Sequence, residues 1–205
     1  IKLLADKDNP DALYEYGYML EEGIEVPMNK KEAASYYKKA SHKMNTNAMI
    51  CLGRMLEYGD GIQINLKEAC KYYKMAADND DSIGMNDYGL MLESGKGIPV
   101  NLEEACKYFK MSADKGYSYG MNNYGIMLHK GKGIKMNYEE ACKYFKMAAD
   151  KGFSNGMNNY GVMLEVGEGI PVNLEEACKY YKMAADKGNS DGMNNYGMNL
   201  ESGKG

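Results

Sequence analysis

Three serines stand in the pattern G-x-S-x-G, which surrounds the nucleophilic serine of many hydrolases. Ser118, Ser154 and Ser190 are the central residues of the three copies. In a hydrolase a strand precedes this turn, a helix follows it, and a histidine completes the triad. Here a helix is predicted before each copy, so we interpret these serines as N-caps of the helices that follow. We predict no catalytic residue and a chain that is not an enzyme.

Four of the five cysteines recur every 36 residues, namely Cys70, Cys106, Cys142 and Cys178. Successive repeats are offset by about 8–10 Å, whereas a disulfide needs Cα atoms within about 7 Å. The cysteines also lack the clustering of a zinc site, and His42 and His129 fall at unrelated places. We predict free buried thiols, no metal and no cofactor.

Free thiols favour a reducing compartment, so we expect a cytoplasmic protein. The chain begins with Ile1 rather than Met, so we expect its natural N-terminus to be missing, which leaves export open. The formal net charge is −4 and no basic stripe is present, so we expect no nucleic-acid partner. No apolar run of 18 residues occurs, which argues against direct membrane insertion.

A 36-residue repeat positions the three serines and the four recurring cysteines. Its clearest marks are six glycines at that spacing: Gly17, Gly53, Gly89, Gly125, Gly161 and Gly197. This period is typical of helical solenoids, in which each unit is stabilised by its neighbours. The predicted boundaries are a partial repeat at 1–9, full repeats at 10–45, 46–81, 82–117, 118–153 and 154–189, and a truncated repeat at 190–205.

Each repeat is predicted to contain two helices. The first begins at the serine, or at Thr46, and ends at a glycine such as Gly167, which suits a left-handed C′ position. The second begins at a periodic asparagine with a glutamate three residues later, as in Asn173 and Glu176, which is a capping box. Ala105, Phe109 and Ser112 share one stripe of the second helix, which we expect to be buried.

The run A-C-K-Y-Y-K-M-A-A-D-K-G-N-S-D-G-M-N-N-Y-G resembles the Sel1-like repeat of the tetratricopeptide superfamily. Matching features include Ala177, Tyr181, Gly188 and Gly197, while Glu25 departs from the G-x-G loop. The resemblance covers essentially the whole chain. It implies an all-α fold, a right-handed α-solenoid of antiparallel helix pairs whose first helices line a concave groove. Because neither end carries a polar capping repeat, we expect a fragment of a longer array.

The resemblance implies a groove lined by first-helix positions three before and one after the periodic glycine. The predicted partner-binding residues are Tyr14, Ile50, Asn86, Asn122, Asn158 and Asn194 in the earlier column, and Tyr18, Arg54, Leu90, Ile126, Val162 and Met198 in the later one. Asparagine amides and an aliphatic row suit an extended peptide or a partner helix. The asparagines could equally bond to neighbouring repeats and stiffen the array.

We therefore expect a non-catalytic adaptor or scaffold that binds a protein partner in the groove. One alternative is a structural component of a large stable assembly, cytoskeletal or associated with a membrane complex, which uses its edges and convex side. A weaker alternative is the regulatory repeat region of an enzyme whose catalytic domain lies outside this chain. The identity of the partner is not encoded in the repeat pattern.

Overall fold

The computed structural model describes residues 2–5 and 8–203, and all regular secondary structure in those ranges is helical. A short helix is followed by eleven helices of twelve or thirteen residues. Parts of the predicted partial repeats, at positions 1, 6, 7, 204 and 205, lie outside the described residues. The helices are α1 (Lys2–Ala5), α2 (Pro10–Glu22), α3 (Lys30–His42), α4 (Thr46–Tyr58), α5 (Leu66–Asp78), α6 (Ser82–Ser94), α7 (Leu102–Asp114), α8 (Ser118–Lys130), α9 (Tyr138–Asp150), α10 (Ser154–Val166), α11 (Leu174–Asp186) and α12 (Ser190–Glu201).

The helices form two compact units, residues 1–101 with α1–α6 and residues 102–205 with α7–α12. Within each unit every helix packs against the next one along the chain. Short connections of this kind make neighbouring helices antiparallel. In addition, α4 contacts α6, α8 contacts α10, and α10 contacts α12, so consecutive first helices lie side by side. The predicted all-α fold of repeated helix pairs is confirmed.

The second helices begin as predicted, at an asparagine that caps the helix. The Asn173 side chain accepts a hydrogen bond from the Glu176 backbone N–H at 3.1 Å and donates to Glu176 Oε2 at 3.0 Å. The same cap occurs at Asn29, Asn65 and Asn137. This cap satisfies the glutamate backbone amide, which has no partner inside the first turn of the helix, and the return bond fixes the asparagine side chain.

The predicted N-caps of the first helices are wrong by one residue. Ser118, Ser154 and Ser190 are already helical, and the N-caps are Tyr117, Phe153 and Asn189. A serine at the first helical position cannot reach the amides two or three residues ahead, as an N-cap side chain does. Tyr117 and Phe153 make no side-chain cap, whereas Asn189 accepts from the Gly192 N–H at 2.7 Å.

The core is built from small residues facing aromatic rings. A Cβ on Gly161 would lie 2.7 Å from Cε1 of Tyr181, whose side chain is fully buried. The predicted stripe Ala105, Phe109 and Ser112 is also buried, with each residue at 0% exposure. Because only a glycine leaves room for the ring at this crossing, the two helices of one repeat approach closely.

The G-x-G loops join one repeat to the one before it. Gly97 has φ 72°, and a Cβ there would lie 2.3 Å from the Leu66 carbonyl oxygen at the start of α5. Glu25, which replaces the equivalent glycine in the first repeat, adopts a similar φ of 59°. A side chain at a left-handed residue is uncommon outside asparagine and aspartate, so this departure carries local strain.

The cysteines are free, and the four periodic ones are buried, as predicted. Among residues 2–5 and 8–203 no cluster of three histidine, cysteine, aspartate or glutamate side chains could hold a metal ion. Across the same residues, no helix combines the length and apolarity that crossing a membrane requires.

Candidate functional site

A cavity of about 580 Å³ lies between the first helices α2 and α4 of the N-terminal unit. We call it the α2–α4 cavity. It contains three of the predicted partner-binding residues, Tyr14, Tyr18 and Arg54. The full lining is Tyr14, Tyr18, Glu21, Glu22, Cys51, Arg54, Met55, Tyr58, Gly59 and Asp60.

Arg54 is held at the cavity by an ion pair with the next first helix. Its guanidinium donates to Asp87 Oδ2 at 3.1 Å, and Asn86 Nδ2 donates to Asp87 Oδ1 at 3.1 Å. Burial raises the pKa of the Asp87 carboxyl, and the Arg54 charge partly opposes that rise. Arg54, predicted to bind a partner, therefore has an internal carboxylate partner, while about half of its side chain remains exposed.

Cys51 lines the same cavity and is not ionised there. Burial, together with the nearby Glu21 carboxylate, raises the pKa of the Cys51 thiol to about 11, so the side chain is a neutral thiol at pH 7. Tyr37 donates its hydroxyl to Glu21 Oε2, and burial followed by this bond raises the tyrosine pKa. Such thiols are poor nucleophiles and metal ligands.

A second cavity, of about 200 Å³, lies between the first helices α8 and α10 of the C-terminal unit. We call it the α8–α10 cavity. Ile126 and Val162, both predicted to bind a partner, line it. His129 lies at the same place and its Nε2 is 2.7 Å from Glu168 Oε2. The remaining lining residues are Lys130, Phe145, Asn159 and Met163.

The asparagines three residues before the periodic glycine are buried. Asn86, Asn122 and Asn158 are 2%, 4% and 8% exposed. In the C-terminal unit, Asn159 Nδ2 donates to Asn122 Oδ1 at 2.8 Å and Asn195 Nδ2 donates to Asn158 Oδ1 at 2.9 Å. This ladder joins successive first helices, which favours the stiffening role over direct contact with a partner.

The other predicted residues lie outside both cavities. Ile50 is buried at 4% exposure, whereas Leu90 and Met198 are 41% and 59% exposed. Asn194 is exposed and its Nδ2 lies 3.5 Å from the Met198 sulfur. The structure therefore brings together five of the twelve predicted residues, three in one cavity and two in the other.

Two features were not predicted. The position two before the glycine, which holds Asn159 and Asn195, donates the ladder bonds, and the repeated pair N-N before Y-G in the sequence was its signal. A cavity of about 250 Å³ also lies beside α7 and the loop after α8, lined in part by Cys106, Tyr124 and Ile134. No motif in the sequence indicates that cavity.

The fold and the groove residues together define a helical-repeat protein with surfaces between consecutive first helices. The chain belongs to the Sel1 repeat family, whose model matches residues 10–43, 46–81, 82–117, 118–153 and 154–189. Repeats of this family generally mediate protein–protein interaction as scaffolds. None of the curated proteins compared with the chain matches it significantly.

Solved structures of similar proteins have the same fold. A Sel1 repeat protein from Oxalobacter formigenes is 28% identical, with a TM-score of 0.88 over 92% of this chain and 75% of its own. The protective antigen c5321 of uropathogenic Escherichia coli, which has an SLR fold, is 25% identical, with a TM-score of 0.88 over 97% of this chain. The present chain spans 43% of that antigen. Helicobacter pylori cysteine-rich protein B, at 24% identity and a TM-score of 0.52 over 66% of this chain and 98% of its own, is similar in fold.

Proposed function

We propose that the chain is a non-catalytic scaffold that binds an extended segment or helix of a protein partner in the spaces between its first helices. The observation that carries this proposal is the pair of cavities between consecutive first helices, one in each unit. Both are lined by the position one after the periodic glycine, through Tyr18 and Arg54 in one unit and Ile126 and Val162 in the other.

The side chains at that position differ between repeats, although the glycine before it recurs in every repeat. A tyrosine and an arginine line the α2–α4 cavity, whereas two aliphatic residues line the α8–α10 cavity. Tyrosine and arginine are enriched among residues that dominate binding energy, and aliphatic side chains exclude water from an interface. Variation at one exposed position on a constant framework supports sequence-specific recognition.

The absence of catalysis is part of the same proposal. Each serine of the G-x-S-x-G pattern follows a helix and is the first residue of the next one, which is the wrong setting for a nucleophile elbow. The thiols lining the cavities have pKa values raised by burial, to about 11 for Cys51 and Cys106, which disfavours the reactive thiolate.

A second candidate surface is favoured by a row of exposed apolar residues in the loops. We call it the loop row; each member immediately precedes the asparagine that begins a second helix and is more than half exposed. Its members are Met28, Ile64 and Val100 in the N-terminal unit and Met136 and Val172 in the C-terminal unit. This row suits the alternative role, a structural component that contacts an assembly through its edge.

A matched pair of valine variants distinguishes the two surfaces. The partner is first isolated by affinity capture from the native source and identified by mass spectrometry, and its affinity is then measured by calorimetry. We expect Val162→Asp, in the α8–α10 cavity, to weaken binding about tenfold or more, because it places a charge in an apolar contact. Val172→Asp, in the loop row, is the control and is expected to bind normally. If Val172→Asp weakened binding and Val162→Asp did not, the partner would instead bind to the loop row.

A further inference from the structure

A carboxylate on the first helix is paired with a lysine of the following repeat at the second junction of the array. Lys96 Nζ lies 2.9 Å from Glu57 Oε1, and Tyr73 donates its hydroxyl to Glu57 Oε2 at 3.0 Å. Glu57 is four residues after Gly53, and Lys96 follows the C-cap Gly95. The glutamate is thus held by a tyrosine from its own repeat and neutralised by an ammonium group from the next.

The same two positions hold the opposite arrangement in the C-terminal unit. His129 occupies the glutamate position and Glu168 occupies the lysine position, with 2.7 Å between Nε2 and Oε2. The acidic and the basic side chain have exchanged positions, yet a hydrogen-bonded pair is retained. A compensating exchange of this kind indicates that a complementary partner is required at this place.

The first junction breaks the pattern. Subtracting one 36-residue period from Glu57, Lys96 and Tyr73 gives Glu21, Asp60 and Tyr37. Tyr37 donates to Glu21 Oε2, as in the next repeat, but the lysine is replaced by an aspartate. Within residues 2–5 and 8–203 no lysine or arginine forms an ion pair with Glu21. The carboxylate therefore keeps its internal tyrosine bond, and the loop lysine that pairs with it one repeat later is absent.

The replaced lysine leaves the α2–α4 cavity with an acidic wall. Glu21, Glu22 and Asp60 all line it, and Tyr14, Tyr18 and Tyr58 supply aromatic faces. Asp60 is held at the rim by Lys30, whose Nζ lies 2.7 and 2.8 Å from its two oxygens. Carboxylates beside aromatic rings form an environment that attracts an ammonium or guanidinium group through both charge and the ring faces.

An anionic occupant fits this cavity less well. The basic residue in the cavity lining is Arg54, and its guanidinium donates a hydrogen bond to Asp87. An incoming anion would have to share the guanidinium with that internal carboxylate while facing Glu21, Glu22 and Asp60. Charge complementarity therefore selects a basic group as the occupant.

We propose that the α2–α4 cavity receives a lysine or arginine side chain of the partner, whose cationic group bonds to Glu21 in the place that Lys96 fills one repeat later. This inference rests on the proposed binding function and names the chemistry of the bound segment. At about 580 Å³ the cavity is larger than one side chain, so the residues flanking the basic one also lie against the tyrosines.

Selection from a library of random linear peptides displayed on phage tests the inference on the full chain. Selected peptides are synthesised, and their affinities are measured by fluorescence anisotropy, together with copies in which arginine is replaced by citrulline and lysine by norleucine. The decisive variant is Asp60→Lys. It places a lysine at the position that Lys96 occupies one repeat later, so that an internal ammonium group can bond to Glu21 in place of the partner's. Glu21→Gln removes the charge while the tyrosine bond can still form. Asp78→Lys changes the net charge equally at an exposed place on α5 and is the control.

We expect the selected peptides to share a basic residue, and affinity to fall about tenfold or more on neutralising that residue, in Asp60→Lys and in Glu21→Gln. Asp78→Lys should bind as the unaltered protein does, and circular dichroism should show each variant folded. The basic-side-chain inference would be overturned, and the groove proposal would stand, in either of two cases. The selected peptides could require Tyr18 or Val162 but carry no basic residue, or they could bind Asp60→Lys and Glu21→Gln as tightly as the unaltered protein. Failure to select any peptide, or selection of peptides that bind Tyr18→Ala and Val162→Asp unchanged, would overturn both.

Discussion

Four of the recurring first-helix glycines lie against aromatic rings of the second helices, and this contact leaves no room for a side chain; they are Gly17, Gly53, Gly125 and Gly161. At Gly161 both Cε1 and Cδ1 of Tyr181 lie within 2.8 Å of the place that a Cβ would occupy. The ring is fully buried and cannot turn into solvent. A single methyl group must therefore displace a whole side chain.

We expect Gly161→Ala to lower the free energy of unfolding by about 1–3 kcal/mol, because overpacking forces the Tyr181 ring and its neighbours to shift. The measurement is urea denaturation followed by circular dichroism. Gly197→Ala is the matched control, because it has the same N-N-Y-G setting and no atom within 4 Å of its Cβ position. It should be neutral or stabilising by up to about 1 kcal/mol. Equal losses in both variants would contradict this account.

The thiols provide a second residue-scale prediction. All five cysteines are free, four are buried, and burial raises the pKa of Cys51 and Cys106 to about 11. We expect thiol-specific reagents to label the folded protein slowly at pH 7 and all five cysteines to react once urea is added. Mass spectrometry after alkylation without reductant should count five labels. The proposal of a reducing compartment would lose its support if any disulfide were found.

Tyr181 should make the protein sensitive to alkali. Burial, followed by its bond to Glu165, raises the pKa of this tyrosine above the ordinary value of 10.0. The unfolded chain then loses the proton first, so this contribution to stability is complete below pH 10 and is lost as the pH rises beyond it. Each such group steepens the decline by about 1.4 kcal/mol per pH unit.

Replacing the hydroxyl isolates that contribution. We expect the unfolding free energy of Tyr181→Phe, measured between pH 7 and 11, to decline less steeply above pH 10 than that of the unaltered protein. The cysteines titrate in both proteins, so their contribution cancels in the difference. Parallel curves would show that Tyr181 ionises normally in the folded state.

At the scale of helices, the ends are set by caps of unequal quality. The second helices have reciprocal asparagine–glutamate caps, whereas α8 and α10 begin after an aromatic residue without a side-chain cap. We expect Asn173→Ala to cost about 1 kcal/mol in thermal or urea unfolding, because it removes the acceptor for the Glu176 amide. Ser154→Ala is the comparison and should change stability by less than about 0.5 kcal/mol. A larger loss at Ser154 would restore the serine as the functional cap.

The helices themselves could be predicted from the sequence with little error, because glycines, capping boxes and the 36-residue period all mark the same boundaries. The serine caps were misplaced because a small polar residue is as acceptable at the first helical position as before it. Only the backbone shows which residue first becomes helical. The residue before the serine varies among asparagine, aspartate, tyrosine and phenylalanine, so it gave no consistent signal.

The residues that line the two cavities were predicted in part, for a reason of helix geometry. Relative to the buried glycine, the position three before lies about 60° around the helix and the position one after lies about 100° around it. The 40° difference places Asn122 inside the stack and Ile126 at the cavity. Sequence spacing cannot locate the boundary between these two angles, because it depends on how closely the next first helix approaches.

At the scale of the whole molecule, repetition makes stability local, since each repeat contacts its immediate neighbours. Helices α10 and α12 have nearly the same sequence but different surroundings. Seven residues of α10 are buried, including Tyr160, Gly161 and Leu164, whereas Gly192 and Asn199 are the buried residues of α12. Sequence similarity alone would assign them equal stability.

For the 205-residue chain, we expect hydrogen exchange to separate these two helices. Amides of α10 should exchange much more slowly than the aligned amides of α12, because opening α12 exposes little additional apolar surface. The measurement is native-state exchange followed by mass spectrometry of peptides from each helix. Indistinguishable protection in α10 and α12 would mean that burial in the stack does not govern local opening.

The contact between His129 and Glu168 has a consequence for assembly. Nearly identical repeats can associate out of order, a known hazard for chains of this kind. If the histidine met the preceding loop, shifted by one period, it would face Lys132 instead of a carboxylate, and Glu168 would face another glutamate. The exchanged pair therefore distinguishes one junction from the others and penalises misalignment, so that it favours the correct register of these two repeats.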